Sequence, residues 1–215
     1  KNDTWLPLDS FVSGADGAFG GSYPNFGSKA PELRLVAKSK GHADSEAVSV
    51  GASAATPYTV QVPASGLLKY EIRDEKDALI PAKILLYQND VLVERIFALG
   101  KAGERVLPPG RYTAEISRGY EYDIESQTIE IKAGETATLK SVLTRRLDTT
   151  GFLSVDAHCH AGPSADNTIS IPERMASVAG EGLEVVVSTD HEYVGSWKSG
   201  IDETELGGYV ATVTG

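Results

Sequence analysis

The segment "SVDAHCHAGPSADNTISIPERMASVAGEGLEVVVSTDHEY" (residues 154–193) alternates between strand-like and helix-like patterns. It opens inside the short apolar run "GFLSVDA" (residues 151–157), which predicts a strand. A helical pattern follows in "SIPERMASVAGEG" (residues 170–182). The run "LEVVVS" (residues 183–188) is continuously apolar, as is typical of a parallel strand buried on both faces. Strand, helix and strand predict a βαβ unit, and thus the opening of an α/β domain.

The start of the predicted helix is well marked. Ser170 and Glu173 have the S-x-x-E spacing of a capping box, and Pro172 falls in the first turn. We expect Arg174 and Glu181 to face solvent. A third strand is predicted in "GGYVATVTG", at the end of the sequence.

Histidines cluster where the first predicted strand ends. Side chains alternate between the two faces of a strand, so Asp156, His158 and His160 are expected on one face and Cys159 on the other, toward the core. Two imidazoles at positions i and i+2 can bind one metal ion or two adjacent ions. In α/β folds, active sites gather at this carboxyl edge of the sheet.

The second strand ends in "TDH", which brings Asp190 and His191 to the same edge. Because two separate strand ends carry such residues, a metal centre is a stronger interpretation than unrelated surface histidines. Asp166, in the loop after His160, is either a turn residue or a carboxylate ligand. We expect Asp156 and Asp190 to orient the imidazoles rather than bind metal.

The sequence before this segment predicts β-structure. Residues 1–66 are expected to form a β-rich region, which either packs on the β-structure after residue 66 or completes a domain that began upstream. Its strand candidates are "ELRLVAK" (32–38), "GHADSEAVSVGAS" (41–53) and "YTVQV" (58–62).

Residues 67–147 show strands at regular spacing, separated by Pro- and Gly-containing turns, which indicates a β-sandwich. The predicted strands are "LLKYEIR", "AKILLYQ", "VLVERIF", "RYTAEIS" and two around "KAGE". The stretches "IPAKILLY", "LPPGRYTAEISRGYEY" and "IEIKAGETATLKSVL" resemble a carboxypeptidase-regulatory-like (transthyretin-type) sandwich. Modules of that family are usually accessory to a catalytic domain.

The composition is that of a globular protein with an acidic surface. The chain has 215 residues, 41% of them hydrophobic, with a formal net charge of −10 and a pI of about 4.9. This balance argues against binding of nucleic-acid phosphates, which needs clustered Lys and Arg. The sequence has no apolar run of transmembrane length, and its single cysteine excludes an internal disulfide.

The pattern "DAHCHAGPSAD…STDHEY" resembles the polymerase-and-histidinol-phosphatase (PHP) superfamily of metal-dependent hydrolases, and most of all its CehA/McbA-like branch, whose members often carry a β-sandwich before the metal domain. The resemblance covers residues 148–215 and implies the opening βαβ portion of a distorted (β/α)7 barrel. It also implies that His158, His160, Asp166 and His191 are metal ligands. A general amidohydrolase barrel shares H-x-H but lacks T-D-H on its second strand.

The resemblance implies a hydrolase with two or three divalent ions, zinc, manganese or iron. Its small-molecule substrate would be a phosphoester, or an ester or carbamate as in the CehA/McbA-like branch, and metal-bound water would attack it. No catalytic side chain other than the ligands is assigned. One alternative is a non-catalytic sandwich that binds or scaffolds, with an incomplete metal site. Another is a structural site closed by four protein ligands.

The family's remaining ligands lie on later strands, and the sequence starts at Lys1 without a leader-like run. We therefore expect a fragment that is inactive by itself and is completed by the rest of the barrel or by an oligomeric partner. A sandwich ahead of a hydrolase also suggests an exported bacterial protein, in the periplasm or at the cell surface.

Overall fold

The computed structural model describes residues 8–21, 32–51 and 57–215. It divides into two units, Lys1–Val36 with Glu46–Val60, and Ala37–Ser45 with Gln61–Gly215. The first unit contains the antiparallel pair β1 (Leu33–Leu35) and β2 (Val48–Val50). Strands were predicted at both places and are confirmed. The strand predicted at 58–62 is wrong, because these residues form no ladder with another strand.

The larger unit begins with two β-sheets, whose order is β6-β3-β9 in one and β5-β4-β7-β8 in the other. All neighbours are antiparallel except β3 and β9, which are parallel. The strands are β3 (Gly66–Asp74), β4 (Pro81–Gln88), β5 (Val91–Leu99), β6 (Gly103–Leu107), β7 (Gly110–Ser117), β8 (Glu125–Ile131) and β9 (Thr136–Leu143).

Alternate side chains of these strands point into one shared apolar core. Leu68 and Ile72 of β3, Ile84 and Leu86 of β4, and Leu139 of β9 are all buried there. Two sheets that enclose a common core form the β-sandwich predicted from the strand spacing. Strand β6 was not predicted, because three of its five residues are too polar or too small to suggest a buried face.

The rest of this unit is an α/β module, defined here as Val155–Thr214. Its elements are β10 (Val155–Cys159), α1 (Ile171–Gly180), β11 (Val185–Ser188), α2 (Lys198–Thr204) and β12 (Ala211–Thr214). The strands form an open sheet in the order β10-β11-β12, with both pairs parallel. The βαβ unit and the third strand are therefore confirmed.

Helix α1 begins at the predicted capping box. The Ser170 hydroxyl accepts the main-chain N–H of Glu173, and the Glu173 carboxylate accepts the N–H of Ser170. Met175 and Val178 face a second apolar core, which also contains Cys159 and Trp197. Trp197 is fully buried. Trp5 lies outside the described residues.

One buried arginine joins the sandwich to the α/β module. Nη1 of Arg118 donates to the carbonyl of Pro81 in β4 at 2.7 Å and to that of Ala179 in α1 at 2.9 Å. Glu181 is exposed, as predicted, and pairs with Lys83 of β4 at 2.6 Å. These contacts fix the last turn of α1 against one sheet of the sandwich.

Neither α-helix of the described chain has the length and apolar character needed to cross a membrane.

Candidate metal centre

The predicted ligands lie at one edge of the parallel sheet. Cys159, the last residue of β10, is in register with Ser188, the last residue of β11. The chain after β10 stays beside the chain after β11, since the N–H of Thr189 donates to the carbonyl of Cys159 at 2.9 Å. His160 and His191 therefore leave the sheet side by side, as the strand pattern predicted.

The two histidines of H-x-H face each other through their outer nitrogens. Nε2 of His158 lies 3.0 Å from Nε2 of His160, and the rings are inclined by only 26°. Two nitrogens that bind one ion at ~2.0–2.1 Å stand roughly 2.8–3.4 Å apart for octahedral to tetrahedral angles. The pair therefore has the nitrogen–nitrogen separation of a chelating pair.

Asp166 contacts the imidazoles of His160 and His191. Its Oδ2 is 3.0 Å from Nδ1 of His160 and 3.5 Å from Nε2 of His191. If one ligand atom is taken from each of these three residues, the atoms all lie within 4.8 Å of one another. The structure thus brings His160, Asp166 and His191 together as one group, and His158 joins them only through its contact with His160.

His160 uses both ring nitrogens, which constrains the role of Asp166. If Nδ1 carries the proton and donates it to Asp166, Nε2 keeps a free lone pair beside His158. Such a carboxylate–histidine contact fixes the tautomer of a metal-binding imidazole. Asp166, predicted as a ligand, therefore also has the geometry of the carboxylate that orients His160.

The site is open to solvent on one side. The side chain of His160 is 15% exposed, but those of Asp166 and His191 are 52% and 63% exposed. A hydrogen bond from the hydroxyl of Ser164, with further help from His160, holds the pKa of Asp166 below its ordinary value. Asp166 is consequently a carboxylate at neutral pH, ready to accept a proton donor or a cation.

Two predicted roles need correction. Asp190 is buried, but its Oδ1 accepts the main-chain N–H of Ala161 at 2.7 Å and its Oδ2 accepts the indole N–H of Trp197 at 2.8 Å. Asp156 accepts the main-chain N–H of His158 at 3.0 Å. Both carboxylates were expected to orient imidazoles. Instead they hold the main chain on either side of the histidines.

Arg174 is a further correction, because it does not face solvent. It is partly buried, and its Nε donates to the carbonyl of His160 at 2.9 Å. Nδ2 of Asn167 approaches the same carbonyl at 3.4 Å. A residue assigned to the outer face of the helix thus holds the main chain of a proposed ligand.

Sequence reasoning also missed Ser164. Its buried hydroxyl donates to Oδ1 of Asp166 at 2.6 Å and accepts the main-chain N–H of His191 at 3.1 Å. The only signal in the sequence is a serine in a turn between two candidate ligands. Cys159 faces the core as predicted, and burial raises the pKa of its thiol.

No family model matches the sequence, and no curated protein is significantly similar to it. Among solved structures, the chain is similar to the Bacillus anthracis TIE protein at 17% identity and a TM-score of 0.33, over 53% of this chain and 24% of that one. It is similar to GBS52, the minor pilin of Streptococcus agalactiae, at 13% identity and 0.32, over 40% and 47%.

A third similar structure is phospholipase PlaB from Legionella pneumophila, at 14% identity and a TM-score of 0.33, over 46% of this chain and 29% of that one. The chain therefore spans between about a quarter and a half of the length of these structures. Alignments at this level establish neither a shared family nor a function.

Proposed function

We propose that the α/β module carries a catalytic metal site and that the protein is a metal-dependent hydrolase of the PHP type. The observation that supports this most is the meeting of three imidazoles and one carboxylate at the carboxyl edge of a parallel sheet. Side chains of this kind at such an edge are characteristic of active sites in α/β proteins. More than half of the side chains of Asp166 and His191 is exposed, so solvent reaches this side of the site.

The residues present suit a divalent transition metal. Imidazole nitrogens mixed with carboxylate oxygens bind zinc, manganese or iron, and do not select among them. His158 and His160 would supply the chelating pair, with Asp166 and His191 beside it. An ion bound here would lower the pKa of a bound water toward neutrality and polarise the bond to be hydrolysed.

The chain's own groups prepare this site. When Nδ1 of His160 carries the ring proton, it donates a hydrogen bond to Asp166, and Nε2 keeps its lone pair for a metal ion. Arg174 and Asp190 fix the main chain at His160 and Ala161, respectively, which limits how far the imidazole of His160 can move. Because these ligands are already held in place, metal binding loses less conformational entropy in ordering them.

The substrate proposed is a small phosphoester, ester or carbamate. The net charge of −10 disfavours a nucleic-acid partner, which agrees with a small-molecule substrate. An accessory-type sandwich ahead of a hydrolase supports an exported protein. The remainder of the barrel, or an oligomeric partner, would supply further ligands.

Metal analysis tests the proposal. The protein is purified without added metal or chelator, and its metals are measured by plasma mass spectrometry in the wild type, in the double variant His158→Ala/His160→Ala, and in His42→Ala. His42 is the matched control, because its ring bonds to the carbonyl of Pro63, away from the site. We expect near-stoichiometric zinc, manganese or iron in wild type and control, and loss in the double variant.

Equal metal content in all three proteins would refute the site, and absence of metal after saturation with each ion would do the same. The sandwich would then become the functional part, as in the binding-module alternative. Where metal binds, hydrolysis of a phosphomonoester, a phosphodiester, a carboxyl ester and an aryl carbamate by the full-length protein, with its further ligands present, identifies the substrate class. Activity that survives the double variant would not belong to this site.

A further inference from the structure

One buried hydroxyl connects the two loops that carry the proposed ligands. Ser164 is 1% exposed and lies in the loop after β10. Its Oγ donates to Oδ1 of Asp166 at 2.6 Å, within the same loop. The same Oγ accepts the main-chain N–H of His191 at 3.1 Å, in the loop after β11.

The main chain of Ser164 leaves this hydroxyl little freedom. The N–H of Ser164 donates to the carbonyl of Ala161 at 2.9 Å, and its carbonyl accepts the N–H of Asn167 at 3.2 Å. A hydroxyl has one proton and two lone pairs. The Ser164 hydroxyl donates its proton to Asp166 and accepts the main-chain N–H of His191 on a lone pair, and these two hydrogen bonds fix its orientation.

These hydrogen bonds of Ser164 also determine the position of Oδ2, the second carboxylate oxygen of Asp166. Because Ser164 holds Oδ1, the carboxylate cannot rotate freely, and Oδ2 stays 3.0 Å from Nδ1 of His160 and 3.5 Å from Nε2 of His191. Holding the amide of His191 also fixes where that imidazole leaves the loop. One side chain therefore sets the positions of two proposed ligands relative to a third.

We infer that Ser164 is a positioning residue of the metal centre, which raises metal affinity by holding Asp166 and His191 in place without binding the ion. This inference rests on the proposed function, since it requires that the site binds metal. Groups that hold metal ligands by hydrogen bonds typically change metal affinity by about 10- to 100-fold when they are removed.

The test compares Ser164→Ala, Ser164→Thr and Ser141→Ala with the wild type. Ser141 is the matched control, a buried serine of strand β9 in the sandwich. Three quantities are measured: thermal unfolding of the metal-free protein, hydrogen exchange of the His191 amide in the metal-free protein, and the Kd for Zn²⁺ alone by calorimetry.

Ser164→Ala should weaken Zn²⁺ binding by about 10- to 100-fold. It should also speed exchange of the His191 amide by about fivefold to tenfold, because the acceptor of that N–H is lost. Ser164→Thr keeps the hydroxyl and should stay within about threefold of the wild-type Kd, as should Ser141→Ala.

Zn²⁺ affinity unchanged in a folded Ser164→Ala protein would overturn the inference and leave the proposed metal site intact. An equal loss in Ser164→Thr would overturn it as well, because packing rather than the hydroxyl would then be responsible. Should Ser164→Ala not fold, the Kd of Ser164→Thr for Zn²⁺ still tests the inference. A value within about threefold of the wild type supports it, and a larger loss overturns it. Failure of the wild type to bind any metal would overturn both this inference and the proposed function.

Discussion

Replacing Asp190 by asparagine should destabilise the α/β module much more than removal of a surface charge. Asp190 is 7% exposed, and its carboxylate accepts two short hydrogen bonds, from the main chain of Ala161 and from the indole of Trp197. It thereby links the loop after β10, the loop after β11 and the segment that begins α2. The two donors face different oxygens, and in asparagine one of these becomes an NH2 group that cannot accept the donor facing it.

The magnitude follows from these two contacts. A hydrogen bond to a charged group contributes about 1.5–3 kcal/mol, and a buried donor left without an acceptor costs about 1–3 kcal/mol. Asp190→Asn should therefore lower the free energy of unfolding by about 2–3 kcal/mol, and Asp190→Ala by about 3–5 kcal/mol. The control Asp202→Asn breaks only the exposed pair with Lys198 and should change the free energy by less than about 0.5 kcal/mol.

Tryptophan fluorescence during urea unfolding measures these changes where they occur. The chain has two tryptophans, so a Trp5→Phe background leaves Trp197 as the reporter of the α/β module. The slope of the transition should stay constant among variants while the midpoint falls. A loss below about 1 kcal/mol for Asp190→Asn, or one no larger than that of Asp202→Asn, would refute the reasoning.

Four further outcomes are expected. Ser170→Ala should lower the free energy of unfolding by about 1 kcal/mol, because the first turn of α1 loses its cap; an unchanged thermal midpoint would contradict this. The Ser170 hydrogen bond also lowers the pKa of Glu173. The resulting stabilisation is complete above the unfolded pKa and is lost as the pH falls through the lower folded pKa, so Ser170→Ala should flatten the pH dependence of urea unfolding below about pH 4.5. Arg118→Met should cost about 2–4 kcal/mol in the same assay, because the carbonyls of Pro81 and Ala179 lose a charged, buried donor. A change within about 1 kcal/mol would argue that water replaces the guanidinium. Cys159 should react with a thiol reagent far more slowly in the native protein than in urea, since burial shields the thiol and raises its pKa, and equal rates would show that β10 opens readily.

The elements that carry the site could be predicted from the sequence because each has a strong local signal. The capping box of Ser170 and Glu173 marks the start of α1, and the apolar run at Val185–Ser188 marks a strand, although only its alternate residues are buried. Parallel pairing then follows from the βαβ rule, and the meeting of two strand ends follows from the pairing. For this reason the sequence could place His160 and His191 at one edge without any knowledge of side-chain contacts.

Other features depend on partners that lie far away in the sequence. "YTVQV" alternates like a strand but forms no ladder, because alternation shows a face that could be buried and not whether a neighbour is available. Arg174 looked exposed on a helical wheel, yet its long side chain reaches the carbonyl of His160. Ser164 gave no periodic signal, since its importance comes only from the two loops that it connects.

The three carboxylates near the site show why residue type alone could not assign roles. Asp156, Asp166 and Asp190 are chemically equivalent in the sequence, and the two that lie closest to histidines along the chain were expected to hold the imidazoles. In the structure Asp156 accepts the main-chain N–H of His158, two residues further on, as short acidic side chains often do. Asp190 instead accepts the main-chain N–H of Ala161 in the neighbouring loop and the indole N–H of Trp197. Asp166, six residues after His160, reaches the ring because a turn folds the loop back. Asp156 and Asp190 thus hold the main chain in place, and Asp166 orients the imidazole of His160. Different carboxylates therefore position the backbone and the proposed ligand. Under the proposed function, changes at Asp156 or Asp190 should therefore act on metal binding through backbone stability, whereas changes at Asp166 should act on it directly.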